Sequence, residues 1–300
     1  MSGVPGPDFG INVPTDGYAW WYLDALSDDG NEGLTLIAFV GSVFSPYYAA
    51  ARRRGPADPE QHVSVNLALY RPGLKGRWAM TERNARSLER TAERYALGPS
   101  SLYWDGNALT VTIDERTAPW AQRLRGQLRV IPTALNPSAL MLNPDGNHLW
   151  QALAPAARIE LDFEHPKLRW QGTAYFDHNR GDAPLEQGFR YWTWSRTHLP
   201  TDRGLTTRVR YDYFPRAGGR ACAGIRFDEA ANLELMDPAD LPPASRLPMA
   251  LWRVHRCARE LEPRVRQDFE DTPFYTRTLL DSADGPVVCE GLDMERFQSR

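Results

Sequence analysis

Short segments between closely spaced turn signals are the feature that most constrains the fold of this chain. Turn-forming pairs occur at Asp29-Gly30, Pro72-Gly73, Asp105-Gly106, Asp145-Gly146 and Asp284-Gly285. Between them lie segments rich in β-branched and aromatic residues, such as HVSVNLALY, ALTVTI, GQLRVI, ARIELDF and TTRVRYDYF. Several alternate apolar and polar or small residues with a period of two, which is typical of strands. The absence of alternating strand and helix patterns predicts an all-β, antiparallel fold with little helix.

Two segments fit this pattern less well. Residues 81–97 (TERNARSLERTAERYAL) are rich in helix formers and have apolar residues at helical spacing, so they predict a short helix or a connection that contains one. Residues 246–261 (RLPMALWRVHRCAREL) also allow a helix, but the alternation over residues 251–256 favours a strand.

A weak internal repeat indicates two domains. Trp21 lies twelve residues before Gly33, and Trp192 lies twelve residues before Gly204. Each unit consists of a Trp-bearing strand, a polar hairpin and a second strand that begins after the glycine. With a chain of 300 residues, the repeat favours two similar β domains over residues 1–165 and 166–300.

Composition and charge exclude several classes of protein. A net charge of −3 provides no positive field for nucleic acid. The longest apolar run, over residues 34–43, is too short for a spanning helix, and the N-terminus lacks the pattern of a secretory signal. Cys222, Cys257 and Cys289 are too scattered for a metal cluster and odd in number, so we expect a soluble protein in a reducing, intracellular compartment.

Cofactor motifs are missing from the sequence. It contains no Gly-rich phosphate loop, no G-x-S-x-G, no H-E-x-x-H and no C-x-x-C, and its six His residues are dispersed. The sequence therefore predicts neither a metal nor an organic cofactor.

Residues 175–213 concentrate acids, histidine and aromatic side chains. Asp177 and His178 are adjacent and could carry chemistry or form only a hydrogen-bonded turn. Trp192 and Trp194 share one strand face, where they could be core residues or line a pocket for a long apolar ligand or a carbocation.

The segment TTRVRYDYF places an acid among arginines. Asp212 shares a strand face with Arg208 and Arg210, whereas Tyr211 points the other way. Asp212 would be buried if its face points inward and solvated if it points outward. The pattern leaves both open.

An aromatic and arginine-rich segment, residues 44–54, has a different character. It contains Tyr47-Tyr48 followed by Arg52, Arg53 and Arg54. Such a segment could contact an anionic bilayer surface or could be a solvated loop.

Three blocks of this sequence closely resemble carotenoid 1,2-hydratase, also called hydroxyneurosporene synthase, of purple bacteria. The blocks are YAWWYLDALSDDGNEGLTLIAFVGSVFSPYYAAARRRG, YFDHNRGDAPLEQGFRYWTWSR and FEDTPFYTRTLL, and the likeness extends over about residues 17–292. The resemblance implies two lipocalin-like β-barrel or sandwich domains. It also implies addition of water to the terminal C1=C2 bond of acyclic carotenoids such as neurosporene and lycopene, without a cofactor.

The resemblance also sets expectations for location and site. The substrate is a C40 hydrocarbon that resides in lipid, so we expect peripheral contact with the cytoplasmic side of the bacterial inner or photosynthetic membrane. Hydration needs a carboxylic acid that protonates C2, aromatic faces that stabilise the cation at C1, and a positioned water. Among the residues discussed, we expect Asp212 to be the acid, Trp192, Trp194 and Tyr211 to form the wall, Asp177 and His178 to orient or deprotonate the water, and Asp271 and then Asp24 to be reserve acids.

Two other functions stay open at this point. One is a carotenoid or lipid carrier with the same barrels and no turnover. The other is a cyclase or isomerase of the same superfamily that uses an acid and aromatic groups without adding water.

Overall fold

The computed structural model describes residues 6–72, 76–143, 147–252, 254 and 256–298. It is 57% strand and 9% helical, which confirms the all-β prediction. Parts of three predictions lie outside the described residues: the turn at Asp145-Gly146, Gly73 of another turn, and Arg253 and His255 of a predicted strand. Among the described residues, no helix is both long and apolar enough to cross a bilayer.

The chain forms two compact units, residues 1–185 and 186–300. The sequence-based boundary after residue 165 falls instead at the tip of a long hairpin. Its strands, β11 and β12 (His148–His165 and Leu168–Gly181), pair from Phe163↔Leu168 to His148↔Gly181. Backbone pairing along two long strands keeps both in the first unit, so the division comes about twenty residues later.

The first unit contains one 12-stranded antiparallel sheet in a nearly closed barrel. Its other strands are β1 (Tyr18–Ser27), β2 (Gly33–Val40), β3 (Val63–Tyr70), β4 (Arg77–Arg83), β5 (Leu88–Arg90), β6 (Arg94–Leu97), β7 (Ser100–Trp104), β8 (Leu109–Arg116), β9 (Arg123–Pro132) and β10 (Leu140–Met141). The order is β4-β3-β2-β1-β12-β11-β9-β8-β7-β6-β5, and β10 pairs with β11. Alternate apolar residues of these strands form one core, which includes Trp21, Leu36, Val65, Val111 and Phe163.

The second unit repeats this topology in a shorter form. Its strands are β13 (Phe189–Thr201), β14 (Gly204–Pro215), β15 (Ala221–Phe227), β16 (Leu233–Met236), β17 (Ser245–Arg246), β18 (Cys257–Ala258), β19 (Arg264–Asp271), β20 (Tyr275–Ser282) and β21 (Gly285–Asp293). The main sheet has the order β16-β15-β14-β13-β21-β20-β19, and β17 pairs with β18. In both units the first strand pairs with the second and with the last. The predicted Trp hairpins are these first two strands, β1–β2 and β13–β14.

Helices are few and short. They are α1 (Pro46–Arg54), α2 (Leu185–Gly188) and α3 (Met294–Gln298), with 3-10 turns at Pro59–Gln61, Ala85–Ser87 and Pro238–Asp240. Instead of the helix expected within residues 81–97, the structure has the second of these 3-10 turns between β4 and β5, and then the strands β5 and β6. Pairing in the sheet overrides the helix propensity of this segment. Of the strand favoured over residues 251–256, the described residues 251, 252, 254 and 256 are not in a strand: the first two lie in a turn, and β18 begins at Cys257.

Strand β1 is buried on both faces, and this property positions the candidate site. All ten of its residues are buried. Trp21 and its i±2 neighbours face the barrel core, whereas Trp20, Tyr22 and Asp24 point to the opposite side of the sheet. A strand with two buried faces can hold polar groups in a setting that excludes bulk water.

Candidate active site

The second face of the sheet carries a buried carboxyl group held by three donors. The Asp177 side chain accepts hydrogen bonds at Oδ2 from Trp150 Nε1 and from the Tyr175 hydroxyl, both at 2.9 Å. At Oδ1 it accepts one from Asn179 Nδ2 at 2.9 Å. Tyr175, Asp177 and Asn179 are alternate residues of β12, and Trp150 lies on the neighbouring strand β11. Asp177 is 3% exposed, so its hydrogen-bonded carboxyl group is shielded from solvent.

A second carboxyl group lies diagonally across from the first. Asp24 of β1 is fully buried and accepts a hydrogen bond from the Tyr22 hydroxyl at 3.3 Å. In the strand register Asp24 pairs with Tyr175, and Tyr22 pairs with Asp177. Diagonal positions on one face are about 7–8 Å apart, so the two carboxyl groups line the same surface.

Aromatic rings extend this surface toward the start of β1. The Trp20 ring stacks on Tyr18 at 5.2 Å, and its centroid is 5.7 Å from the ring of His148. The Tyr18 hydroxyl is hydrogen-bonded to His148 Nδ1 at 2.5 Å. Burial lowers the pKa of His148 to about 3, a shift that contact with the Asn179 amide partly opposes, so the imidazole is neutral near pH 7.

A chain of ring contacts leads outward from this cluster. Trp20 packs on Phe39 at 6.1 Å, and Phe39 packs edge-on against Phe44 at 5.7 Å. Phe44 is half-buried and immediately precedes Ser45, the N-cap of α1. The aromatic surface therefore runs from the buried carboxyl groups to the segment over residues 44–54.

The equivalent strands of the second unit lack this arrangement. The repeat aligns Trp21 with Trp192, and these residues pair with His178 and Leu292 on the last strand of each unit. By the same register, the position of Asp177 corresponds to Gly291. Only one of the two topological repeats thus presents the carboxyl group and its donors.

Asp212, the acid expected from the sequence, has a different environment. Arg208 and Arg210 do point elsewhere, to Asp284 and Glu260. However, Arg259 donates to both oxygens of Asp212, from Nε at 2.7 Å and from Nη2 at 2.8 Å. Arg220 adds contacts at 2.9 and 3.2 Å. Two guanidinium groups therefore contact the carboxyl group of Asp212, which is part of a buried ion pair with Arg259.

The expected aromatic wall lies on the other face of the strands that carry Asp212. Thr193, not a Trp, is the cross-strand partner of Asp212, whereas Trp194 pairs with Tyr211 and Trp192 pairs with Tyr213. Trp194 and Tyr211 are buried, and Trp192 packs edge-on against Phe189 at 5.5 Å. The acid and the rings of the second unit are therefore separated by the backbone of their own sheet.

His178 points away from the carboxyl cluster, and Asp271 belongs to the second unit. His178 stacks on Trp21 at 5.1 Å, on the face of β12 opposite Asp177, and burial lowers its pKa to about 3. Asp271 ends β19 in the second unit and accepts a hydrogen bond from the backbone N–H of Trp252 at 3.2 Å. Within the described ranges, no group of three His, Cys, Asp or Glu side chains is arranged to hold a metal ion.

Sequence reasoning missed the partners of Asp177. Trp150 is 27 residues from Asp177 in the chain, and Tyr22 is on a strand that only the tertiary fold places alongside. A signal was nevertheless present: Tyr175, Asp177 and Asn179 alternate with apolar Ala174 and Phe176, while β1 carries Trp residues on both of its faces. That combination indicates a strand whose polar face is also buried.

The fold and the site together define a two-unit, lipocalin-like β protein. Its first unit holds a buried carboxyl group that accepts hydrogen bonds from an indole, a phenol and an amide and lies beside aromatic rings. The sequence matches the family model "Carotenoid hydratase CrtC" over residues 36–300. The chain belongs to this family.

Relatives with assigned names agree with that membership. The chain is 46% identical to "Acyclic carotenoid 1,2-hydratase" of Thiocapsa roseopersicina, over 98% of this chain and 73% of that protein. It is 44% identical to the protein of the same name from Rubrivivax gelatinosus, over 92% of this chain and 68% of that protein. The protein of that name from Cereibacter sphaeroides is 35% identical, over 88% and 93%.

Solved structures share the fold at low sequence identity. An AttH protein from Nitrosomonas europaea superposes with a TM-score of 0.65 at 13% identity, over 95% of each chain. CghA in complex with Sch210972 superposes with a TM-score of 0.59 at 11% identity, over 93% of this chain and 88% of that chain. These likenesses show the two-unit architecture alone.

Proposed function

We propose that this protein is a hydratase that adds water to the terminal C1=C2 bond of acyclic carotenoids such as neurosporene and lycopene, with Asp177 as the proton donor. Family membership supports the reaction class. The observation that carries the residue assignment is the buried Asp177 carboxyl, oriented by Trp150, Tyr175 and Asn179. These donors are an indole, a phenol and an amide, all uncharged. The side-chain donors to Asp212, by contrast, are the two guanidinium groups of Arg259 and Arg220.

The chemistry follows from this arrangement. A protonated Asp177 transfers its proton to C2, and the electron pair of the double bond forms the new C–H bond. The tertiary cation at C1 is stabilised by the faces of nearby rings, of which Trp20 and Tyr22 lie on the same sheet face. Water attacks C1, and the proton lost from the resulting oxonium returns to the Asp177 carboxylate. The product is a tertiary alcohol, and the acid is regenerated.

The second carboxyl group, Asp24, has a supporting role in this proposal. The oxygens of the Asp24 carboxyl group lie on the same surface and would stabilise positive charge at C1 through space, and the burial of the site strengthens that interaction.

The test compares two isosteric substitutions in the first unit. Asp177→Asn should lower hydration of lycopene by about 10³-fold, within the range for loss of a general acid. Asp162→Asn, which changes an acid 57% exposed on β11, should leave turnover unchanged. Product mass after incubation with lycopene in detergent is the readout, and a gain of one water identifies hydration.

Other results would point to other functions. Stoichiometric binding of carotene with no change in mass would indicate a carrier. A changed product with no added water would indicate a cyclase or isomerase. Full hydration by Asp177→Asn would refute the assignment of the acid, and Asp24 would then be substituted in the same way.

We also propose that the reaction needs no metal or organic cofactor. The addition of water is redox-neutral, and the carboxyl group, the rings and water supply every bond change described above. Exhaustive EDTA treatment followed by gel filtration should leave turnover unchanged. Loss of turnover that one added metal restores would refute this proposal.

Peripheral contact with the cytoplasmic side of the inner or photosynthetic membrane is part of the same proposal. The segment over residues 44–54 supports it, because Tyr47 is 71% exposed, Arg53 and Arg54 are exposed, and Phe44 joins the ring path that leads to Trp20. An exposed aromatic beside cationic groups suits an anionic lipid surface.

Liposome flotation tests the membrane contact. The variant Tyr47→Ser/Arg53→Glu/Arg54→Glu should lose binding to vesicles that contain anionic lipid. Trp120→Ser is the matched control, because Trp120 is 79% exposed but lies in the β8–β9 turn, at the opposite end of the barrel. Retained flotation of the triple variant would refute the assignment of residues 44–54.

A further inference from the structure

An exposed apolar loop in the second unit has no role in the reaction proposed above. The segment LPMALW, residues 247–252, contains no charged side chain. Within it Met249, Leu251 and Trp252 are 52%, 84% and 44% exposed. We refer to residues 248–252 as the apolar loop. Soluble proteins rarely place a run of apolar side chains on the surface, and such a run typically marks an interaction site.

Hydrogen bonds at both ends hold the backbone of the apolar loop. The Pro248 carbonyl accepts one from Arg256 Nε at 2.9 Å. The backbone N–H of Trp252 donates to Asp271 Oδ2 at 3.2 Å, and the Trp252 carbonyl accepts one from Arg296 Nη1 at 2.7 Å. The loop is therefore part of the folded unit, and the exposure of its side chains does not result from a frayed end of the chain.

The border of the loop carries positive charge. Arg246, directly before the segment, is exposed. Arg296, which bonds to the Trp252 carbonyl, is 43% exposed, and its Nε also lies 3.4 Å from Asp293 Oδ2. At a membrane surface, tryptophan and arginine favour the level of the lipid headgroups, whereas aliphatic side chains favour the acyl chains. A loop with aliphatic residues in its middle and Trp and Arg at its border therefore has the composition of a membrane-contacting loop.

The size of the exposed surface favours a bilayer over a protein partner. The three exposed side chains present a few hundred Å² in total, so two copies that met here would bury less than the roughly 1,000 Å² of a stable protein interface. Insertion into a bilayer needs no complementary surface on the partner, because the hydrophobic effect is non-directional.

We infer that residues 248–252 form a second membrane contact of this protein, in which Met249 and Leu251 insert among the lipid acyl chains. This inference rests on the proposed function, because a carotene substrate that resides in lipid makes the bilayer the expected partner. Three side chains bind a bilayer only weakly by themselves, so the loop adds to the affinity that residues 44–54 provide. The loop contact is apolar, whereas the contact through residues 44–54 is largely electrostatic, so their dependence on salt separates them.

Sedimentation with vesicles of phosphatidylcholine and phosphatidylglycerol, without carotene, tests this inference on the full chain. Met249→Ser/Leu251→Ser should lower the partition coefficient about tenfold or more, since burial of one aliphatic side chain contributes at least that factor. Because ions do not screen the transfer of apolar surface, the factor should be the same at low and at high salt.

Leu235→Ser/Leu261→Ser is the matched control, because it removes two leucines of the same unit that are 60% and 50% exposed but lie outside the loop. Leu235 is on β16 and Leu261 precedes β19, whereas the loop contacts Asp271, the last residue of β19. The control should bind vesicles as the wild type does. Leu251→Trp, which adds a residue favoured at the interface, should raise the partition coefficient, and misfolding would not produce this gain.

Four vesicle results would each overturn the inference: an unchanged partition coefficient in Met249→Ser/Leu251→Ser, an equal loss in the control, a loss that disappears at high salt, or no gain in Leu251→Trp. If the double serine variant does not fold, Leu251→Trp decides. A wild-type dimer in vesicle-free sedimentation velocity that Met249→Ser/Leu251→Ser dissociates would also overturn it, because the loop would then be an interface between two copies. Failure of the proposed function is distinct: a wild type that does not hydrate lycopene in detergent would refute the reaction, whereas vesicle binding is measured without substrate.

Discussion

The substitution Asp212→Asn tests whether Asp212 contributes to the stability of the protein or to catalysis. The substitution removes one negative charge from a site where Asp212 is 6% exposed and Arg259 is 12% exposed. The carboxylate raises the pKa of the Arg259 guanidinium through their hydrogen bonds. We expect the variant to be less stable and to hydrate carotene at the wild-type rate.

The expected loss in the free energy of unfolding follows from the arginines that lose their charged partner. Removing one partner of a buried ion pair costs about 3–5 kcal/mol. Asn retains one acceptor oxygen, and Arg220 is 45% exposed and therefore screened by solvent, so we expect a cost of about 2–4 kcal/mol. For a unit that spans residues 186–300, this corresponds to a fall in Tm of about 10 °C.

Calorimetry and turnover measured on the same preparation are the assay. Asp240→Asn removes the same charge from an exposed acid of the same unit and should change neither quantity. Turnover is measured well below the lowered transition. An unchanged transition together with loss of hydration by Asp212→Asn would show that Asp212 is the proton donor and that its ion pairs with Arg259 and Arg220 contribute little to stability.

Three further predictions follow from other contacts. Trp150→Phe keeps the ring but removes a donor to Asp177, so kcat should fall about tenfold with KM nearly unchanged in steady-state assays. The folded-state pKa of His148 is about 3, below the unfolded value of about 6.5, so wild-type stability is lost as pH falls from about 6.5 toward 3. In urea titrations, His148→Asn should therefore lose about 1–2 kcal/mol less than the wild type between pH 7 and 5, and an identical loss would contradict the buried neutral imidazole. A Cβ at Gly172 would lie 1.9 Å from the Leu26 carbonyl oxygen, so Gly172→Ala should lower stability by about 2 kcal/mol or more, whereas Gly76→Ala, at 3.3 Å from its nearest neighbour, should cost less.

Local patterns in the sequence predict much of the fold. The alternation of Val63, Val65, Leu67 and Leu69 identifies the strand β3 and its core face, and both Trp hairpins restart after their glycines. These features depend on residues two to twelve positions apart in the chain, so they can be predicted without the tertiary structure. The segment over residues 81–97 is different, because its helix propensity is weak compared with the pairing that neighbouring strands provide.

The site shows the limit of such reasoning. The sequence shows that acids, histidine and aromatic residues are concentrated in residues 175–213, and Asp177 is among the candidates. It also favours Asp212 as the proton donor, and it assigns Asp177 and His178 a shared role toward the water. Asp177 and His178 are adjacent in the sequence and therefore point to opposite faces of β12. The residue that forms an ion pair with Asp212 is Arg259, which lies 47 residues away in the chain. The protonation state of a carboxyl group depends on which groups lie within a few ångströms, whatever their distance along the chain. The identity of the buried strands was therefore determined by the sequence, whereas only their packing decided which acid is paired with arginines and which is held by uncharged donors.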